Sequence, residues 1–351
     1  MAELTPQMVQ TPRLAMNVWT SGPEDGRPVL LVHGNITTGG YWRYVADLLP
    51  DDVRVIAPDM RAFGRTEQRP IDATRGLGDM ADDVHGLLET LGLTGRGDLV
   101  AAGWSMGGGV LQQYVVDHPG DLGAVVLVAP ISPYGFGGTT TADGQHAGPE
   151  RAGSGGGTAA PDFVRRMKDG DRSDSEGSPR VVLRTFFGAR GNAANVDEDF
   201  LLDESLLTAV GDDFYPGSAT VTEAWPGVGP GDRGVLNAMA PGHFDASGLP
   251  DVADKPAITW VRAMEDQVIS DTSAFDFAFL GQLGAVPGWP GADTMPPADA
   301  PADPGSARPV CGERRGGAGG HPRELRPRRA ARGPAGGGGR DHCTPVRSPD
   351  F

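Results

Sequence analysis

The chain has 351 residues, enough for one large domain or two ordinary ones. Only 38% are hydrophobic, and 54 Gly with 31 Pro imply that part of the chain is not core. A formal charge of −16 argues against nucleic acid or an anionic membrane surface as a partner.

The start, MAELTPQMVQTPRLAMNVW, lacks the basic region and apolar run of a signal peptide. No apolar run approaches the length needed to cross a bilayer, so a soluble cytoplasmic protein is expected. Short apolar, β-rich runs follow: RLAMNVW (13–19), PVLLVH (28–33) and VRVIAP (53–58). In residues 77–93, Met80, Val84, Leu87, Leu88 and Leu91 recur at helical spacing, with acids on the other face. Then come DLVAAG (98–103), a helical pattern from Ser105 to His118, AVVLVAP (124–130) and, much later, AITWVRA (257–263). Continuous apolarity predicts strands buried on both faces of a sheet. Strands alternating with helices predict the α/β class, a mostly parallel open sheet with flanking helices.

The rhythm breaks between about 131 and 255. Residues 135–161 form a Gly/Thr/Ala-rich stretch that reads as loop, and limited proteolysis is expected to cut first in 152–161 or in the C-terminal tail. The segments 162–170 and 197–210 read as short helices, and no buried-strand run occurs. Such an insertion between two sheet strands predicts a lid. The division expected is therefore a core of 1–130 and 256–295, a lid of 131–255 and a tail of 296–351.

In that tail, residues 301–351 carry eleven Gly, eight Pro and ten Arg but no Lys. Ten arginines against five acids give this segment +5, leaving −21 for the rest (−16 minus +5). Too little apolar surface remains to fold it by itself. Two readings fit: a disordered Arg-rich tail, or a GC-rich gene read in the wrong frame from near 295–300. The only cysteines, Cys311 and Cys343, suggest neither a disulfide framework nor a zinc cluster.

The chemistry centres on Gly103-Trp104-Ser105-Met106-Gly107, placed after a predicted buried strand and before a helix. This is the nucleophile-elbow pattern: glycines permit the tight turn, and the helix N-terminus aims the Met106 N–H at a developing oxyanion. Around it the sequence resembles the α/β-hydrolase superfamily over about residues 13–295. LLVHGN (30–35) looks like the strand and His-Gly oxyanion loop. APDMRAFGRT (57–66) resembles the D-x-R-G-x-G-x-S segment, with Ala62 and Thr66 in place of glycine and serine. VRAMEDQVISD (261–271) resembles the strand end that supplies the acid.

The resemblance implies a serine hydrolase without metal or organic cofactor, acting on a small-molecule substrate. Ser105 is the nucleophile, and the N–H groups of Asn35 and Met106 form the oxyanion hole. His33 and Asp59 are structural by the same resemblance. Asp266 is the acid, with Glu265 and Asp271 as neighbours able to take that role. Chain order puts the histidine after the acid, which leaves His321 and His342; His342 is at the implied distance, and a chain with no competent histidine is the other reading. His243 precedes the acid and belongs with the lid. Trp104, Phe136 and Trp225 are candidate walls of an apolar acyl pocket. The function implied is cleavage of an ester or lactone. The alternatives are carbon–carbon hydrolysis next to a ketone and a non-catalytic binder.

Overall fold

The computed structural model describes residues 3–187 and 196–297. The core opens with a hairpin that the sequence pattern only half revealed, β1 (Thr5–Gln10) and β2 (Ala15–Ser21). There follow β3 (Arg27–Val32), the short helix α1 (Arg43–Ala46), β4 (Val53–Pro58), α2 (Gly78–Thr90), β5 (Leu99–Trp104), α3 (Met106–Asp117) and β6 (Leu122–Val128). Residues of the central insertion supply α4 (Pro161–Lys168), α5 (Pro179–Phe186), α6 (Glu198–Ser205), β7 (Val210–Gly211), β8 (Tyr215–Pro216), β9 (Ala219–Val221), β10 (Val228–Pro230) and α7 (Val235–Ala238). The chain then returns to the sheet as β11 (Ala257–Val261) and continues to α8 (Phe277–Gln282).

Seven strands form one sheet in the order β1-β2-β4-β3-β5-β6-β11. The β1–β2 and β2–β4 pairs are antiparallel and the others parallel. On one face α2 and α3 bury Met80, Val84, Leu87, Leu88, Val110 and Leu111 against Leu30, Val32, Ile56 and Ala101. Alternate residues of the same strands, Leu31, Val53, Val55 and Ala57, pack on the other face with Trp19 and Trp42. Apolar side chains on both faces of β3 and β4 explain their unbroken apolar runs.

That expectation fails toward β11. The register places Val100, Ala124 and Ala257 side by side, and likewise Trp104, Val128 and Val261. Val100 is 37% exposed, Val261 46% and Trp260 50%. Among the described residues β11 pairs with β6 alone. An edge strand so placed is apolar without being buried.

The insertion contains the helices expected of it, plus two small two-stranded sheets, β9–β10 and β7–β8. Its Gly-rich stretch is more ordered than composition suggests, because residues 152–156 are buried. The fully buried Asn237 side chain holds them. Its Oδ1 accepts from the N–H groups of Gly156 (2.7 Å) and Gly231 (3.0 Å), while Nδ2 donates to the carbonyls of Ser218 and Arg233. One amide thus satisfies four backbone groups that no regular element could pair.

Candidate active site

Ser105 sits between β5 and α3 at φ 55° and ψ −118°, a backbone conformation unfavourable to any residue with a Cβ. Its amide donates to the carbonyl of Val128 at 3.0 Å, and its carbonyl accepts from Gly108, Gly109 and Ile131. The flanking glycines are steric requirements. A Cβ at Gly103 would lie 2.4 Å from the Gly107 carbonyl oxygen, and one at Gly107 would lie 2.3 Å from that of Val32. Strand, turn and helix therefore approach closely enough to push a half-buried serine out of the strand line, and the strain is held by the packing around it.

The loop after β3 lies against this turn. A Cβ built on Gly34 would sit 3.4 Å from both Ser105 Cβ and the Trp104 ring. Asn35, the next residue, is thereby brought to the serine's side of the sheet edge. Its Oδ1 is buried without a hydrogen-bond partner among the described residues. At the start of α3 the first N–H groups, Met106 included, have no intrahelical acceptor.

His33 and Asp59 organise this loop. The His33 Nε2 accepts from the Met60 N–H at 2.9 Å, and Nδ1 donates to the Gly34 carbonyl at 2.7 Å, which fixes the neutral tautomer. Complete burial pulls this imidazole down to about 4. Asp59 accepts from Trp19 Nε1, Asn17 Nδ2 and the N–H groups of Gly39 and Arg65. Burial raises its carboxyl above the usual range against the pull of those bonds. Thr66 fills the place of the usual serine: its hydroxyl donates to the Asp59 carbonyl at 2.7 Å and accepts from the Asn17 N–H.

Trp104 faces aromatic neighbours that the sequence did not single out. Tyr41 stacks on it at 6.2 Å and Phe187, just past α5, meets it edge-on at 5.6 Å. Tyr41 is held by Leu201 and Ser205 of α6, and the buried Glu204 joins the same helix to Arg65 and Thr38. The insertion is thus fastened beside the loop that follows β3. Phe136 instead packs against the main core, and Trp225 against Phe277. Aromatic identity alone gave no way to choose among these residues.

Asp266 follows β11, two strands along the sheet from Ser105. Its Oδ1 accepts from the N–H groups of Val268 (2.8 Å) and Ile269 (2.9 Å). No side-chain hydrogen bond is made by Glu265 or Asp271 among the described residues. The Phe186–Phe275 contact, 4.9 Å between centroids, links α5 to this acid loop. No histidine among the described residues hydrogen-bonds Ser105 or Asp266. His243 is turned to the Asn237 carbonyl within the insertion. His321 and His342 lie outside the described residues, as do both cysteines. No group of metal-ligating side chains is found among the described residues.

Comparison with known proteins is consistent with this geometry. Residues 27–169 match the family model of the alpha/beta hydrolase fold. The chain is 33% identical over 110 residues to a cis-3-alkyl-4-alkyloxetan-2-one decarboxylase of Xanthomonas campestris, covering 27% of this chain and 36% of that protein. It is 37% identical over 106 residues to a 2-hydroxymuconate semialdehyde hydrolase of a Pseudomonas species, covering 29% of this chain and 36% of that protein. The chain thus spans little more than a third of the length of these relatives. An esterase from Exiguobacterium antarcticum superposes with a TM-score of 0.48 at 16% identity, over 80% of this chain and 87% of that one.

Proposed function

We propose that this alpha/beta-hydrolase chain cleaves an ester or lactone of a small, fairly apolar molecule through an acyl-enzyme on Ser105. The strained backbone of Ser105 carries the reading, because such a conformation persists only where the surroundings enforce it. Ser105 Oγ attacks the carbonyl, and the N–H groups of Met106 and Asn35 stabilise the oxyanion. The base is assigned to His342 by chain order, with Asp266 orienting it and stabilising the imidazolium. Water then attacks the acyl-enzyme and releases the acid. The aromatic wall of Trp104, Tyr41 and Phe187 supports an apolar acyl group. The insertion serves as the lid, and no cofactor takes part.

Labelling by a fluorophosphonate tests the nucleophile directly, since only an activated serine reacts. Labelling and short p-nitrophenyl ester hydrolysis should both disappear in Ser105→Ala, with kcat falling on the order of a millionfold. Undiminished activity in that variant would exclude Ser105.

A second reading, hydrolysis of a carbon–carbon bond next to a ketone, is favoured by the similarity to 2-hydroxymuconate semialdehyde hydrolase. Turnover of a vinylogous diketone with no turnover of esters would select it. A chain that folds and binds ligand but resists the fluorophosphonate would be a binder.

A further inference from the structure

The insertion holds an open cavity of about 370 Å³ lined by His146, Gly148, Glu150 and Arg151. Glu150 and Arg151 are consecutive non-glycine residues in the left-handed region, at φ 56° and 55°. Two such residues in sequence are costly and need a compensating reason. Arg151 is half-buried, yet among the described residues its guanidinium makes no ion pair and no hydrogen bond. By contrast Arg13, Arg61, Arg65, Arg75, Arg166 and Arg180 all have carboxylate partners. Among the described residues Arg43, Arg54 and Arg262 also lack a carboxylate, but Arg54 donates to the Glu24 carbonyl and the other two lie over aromatic rings. Arg151 is also held in place. A Cβ at Gly242 would lie 2.2 Å from Arg151 Nε and 2.3 Å from Cζ, so the guanidinium packs directly on that glycine. Its charge reaches across the cavity: burial and then Arg151 lower the His146 imidazole.

We propose that this cavity binds a small oxyanion, a carboxylate or phosphate group, with Arg151 as the anchoring cation. The planar fork of an arginine suits such a group bidentately, and the ligand supplies the partner that Arg151 lacks among the described residues. Glu150, on the same wall, opposes an anion and tunes the site toward weak binding. The inference is independent of Ser105 chemistry.

Titration calorimetry of the full chain with sodium acetate and with inorganic phosphate, at constant ionic strength in chloride, tests it. Saturable one-to-one binding of at least one anion is expected. Acetate alone would assign a carboxylate site, and phosphate alone a phosphate site. Arg151→Gln should weaken binding at least about tenfold, as loss of a charge-assisted pair does. Glu150→Gln should tighten it several-fold. Should Arg151→Gln fail to fold, Arg151→Gly removes the cation and the left-handed strain together; it should melt no lower than the parent while losing the anion. Absence of saturable binding to either anion, unchanged affinity without Arg151, or weaker binding in Glu150→Gln would each overturn the proposal.

Discussion

Ala62 occupies a position where the backbone turns at φ 71°, in a segment whose relatives in pattern carry glycine. The left-handed region costs an L-residue about 1–2 kcal/mol, and glycine's extra freedom in the unfolded chain returns about half of that. Ala62→Gly should therefore stabilise the protein by about 0.5–1 kcal/mol, seen as a higher denaturant midpoint at unchanged slope. His33 makes a pH-dependent contribution of known sign. Its folded pKa, about 4, lies below the ordinary value of 6.5, so the unfolded chain binds the proton first. The contribution is fully present above pH 6.5 and is lost as pH falls through 4, by about 3 kcal/mol in total. Its ring proton signal should stay in the neutral position down to about pH 5, and a titration there near 6.5 would contradict the burial argument. At the acid, Asp266→Asn should lower kcat on the order of ten-thousandfold with little change in KM. An effect from Asp271→Asn and none from Asp266→Asn would transfer the role.

Elements of the insertion are stitched by side-chain amides and ion pairs as well as by apolar contacts. Asn237 is the clearest case, since it satisfies Gly156 and Gly231 N–H groups and two carbonyls at once. Asn237→Ala leaves the buried Gly156 and Gly231 N–H groups unpaired, and loss of about 3 kcal/mol follows from the desolvation they retain. Limited proteolysis should then cut within 152–156, a segment protected in the parent by its burial. Cutting there in the parent at the same rate would mean that the amide hub does not order the stretch.

Across the whole molecule, the sheet is well covered at β3 and β4 and open at β11. Val261, Trp260 and the 71% exposed Met264 leave apolar surface in water at one edge. Such surface binds hydrophobic dyes and promotes association. The purified chain should therefore enhance 1-anilinonaphthalene-8-sulfonate fluorescence while folded, and Trp260→Lys with Val261→Lys should reduce that signal. Resequencing the encoding DNA decides whether residues after about 297 are read in their intended frame. A frame that encodes a strand, a Gly-His pair and a helix would replace His342 as the base. With the present frame confirmed, ester turnover must be abolished by His342→Gln.

Much of this protein was legible in its sequence because the relevant signals are local. Apolar runs of five to seven residues marked β3 to β6, helical spacing marked α2, and GWSMG marked the tight turn between strand and helix. What escaped the sequence depends on neighbours far along the chain. Composition made 152–161 a loose loop, whereas a single asparagine 81 residues beyond Gly156 holds its buried part. Continuous apolarity made 257–263 a buried strand, whereas its exposure depends on what lies beside it, which no run of its own residues encodes. Tyr41 and Phe187 meet Trp104 because α6 and α5 are fastened beside the loop that follows β3, and only tertiary packing selects them from the chain's other aromatics. The sequence determined where the tight turn at Ser105 stands; the three-dimensional arrangement decided which side chains surround it, because spacing fixes local backbone while contacts between distant segments fix walls.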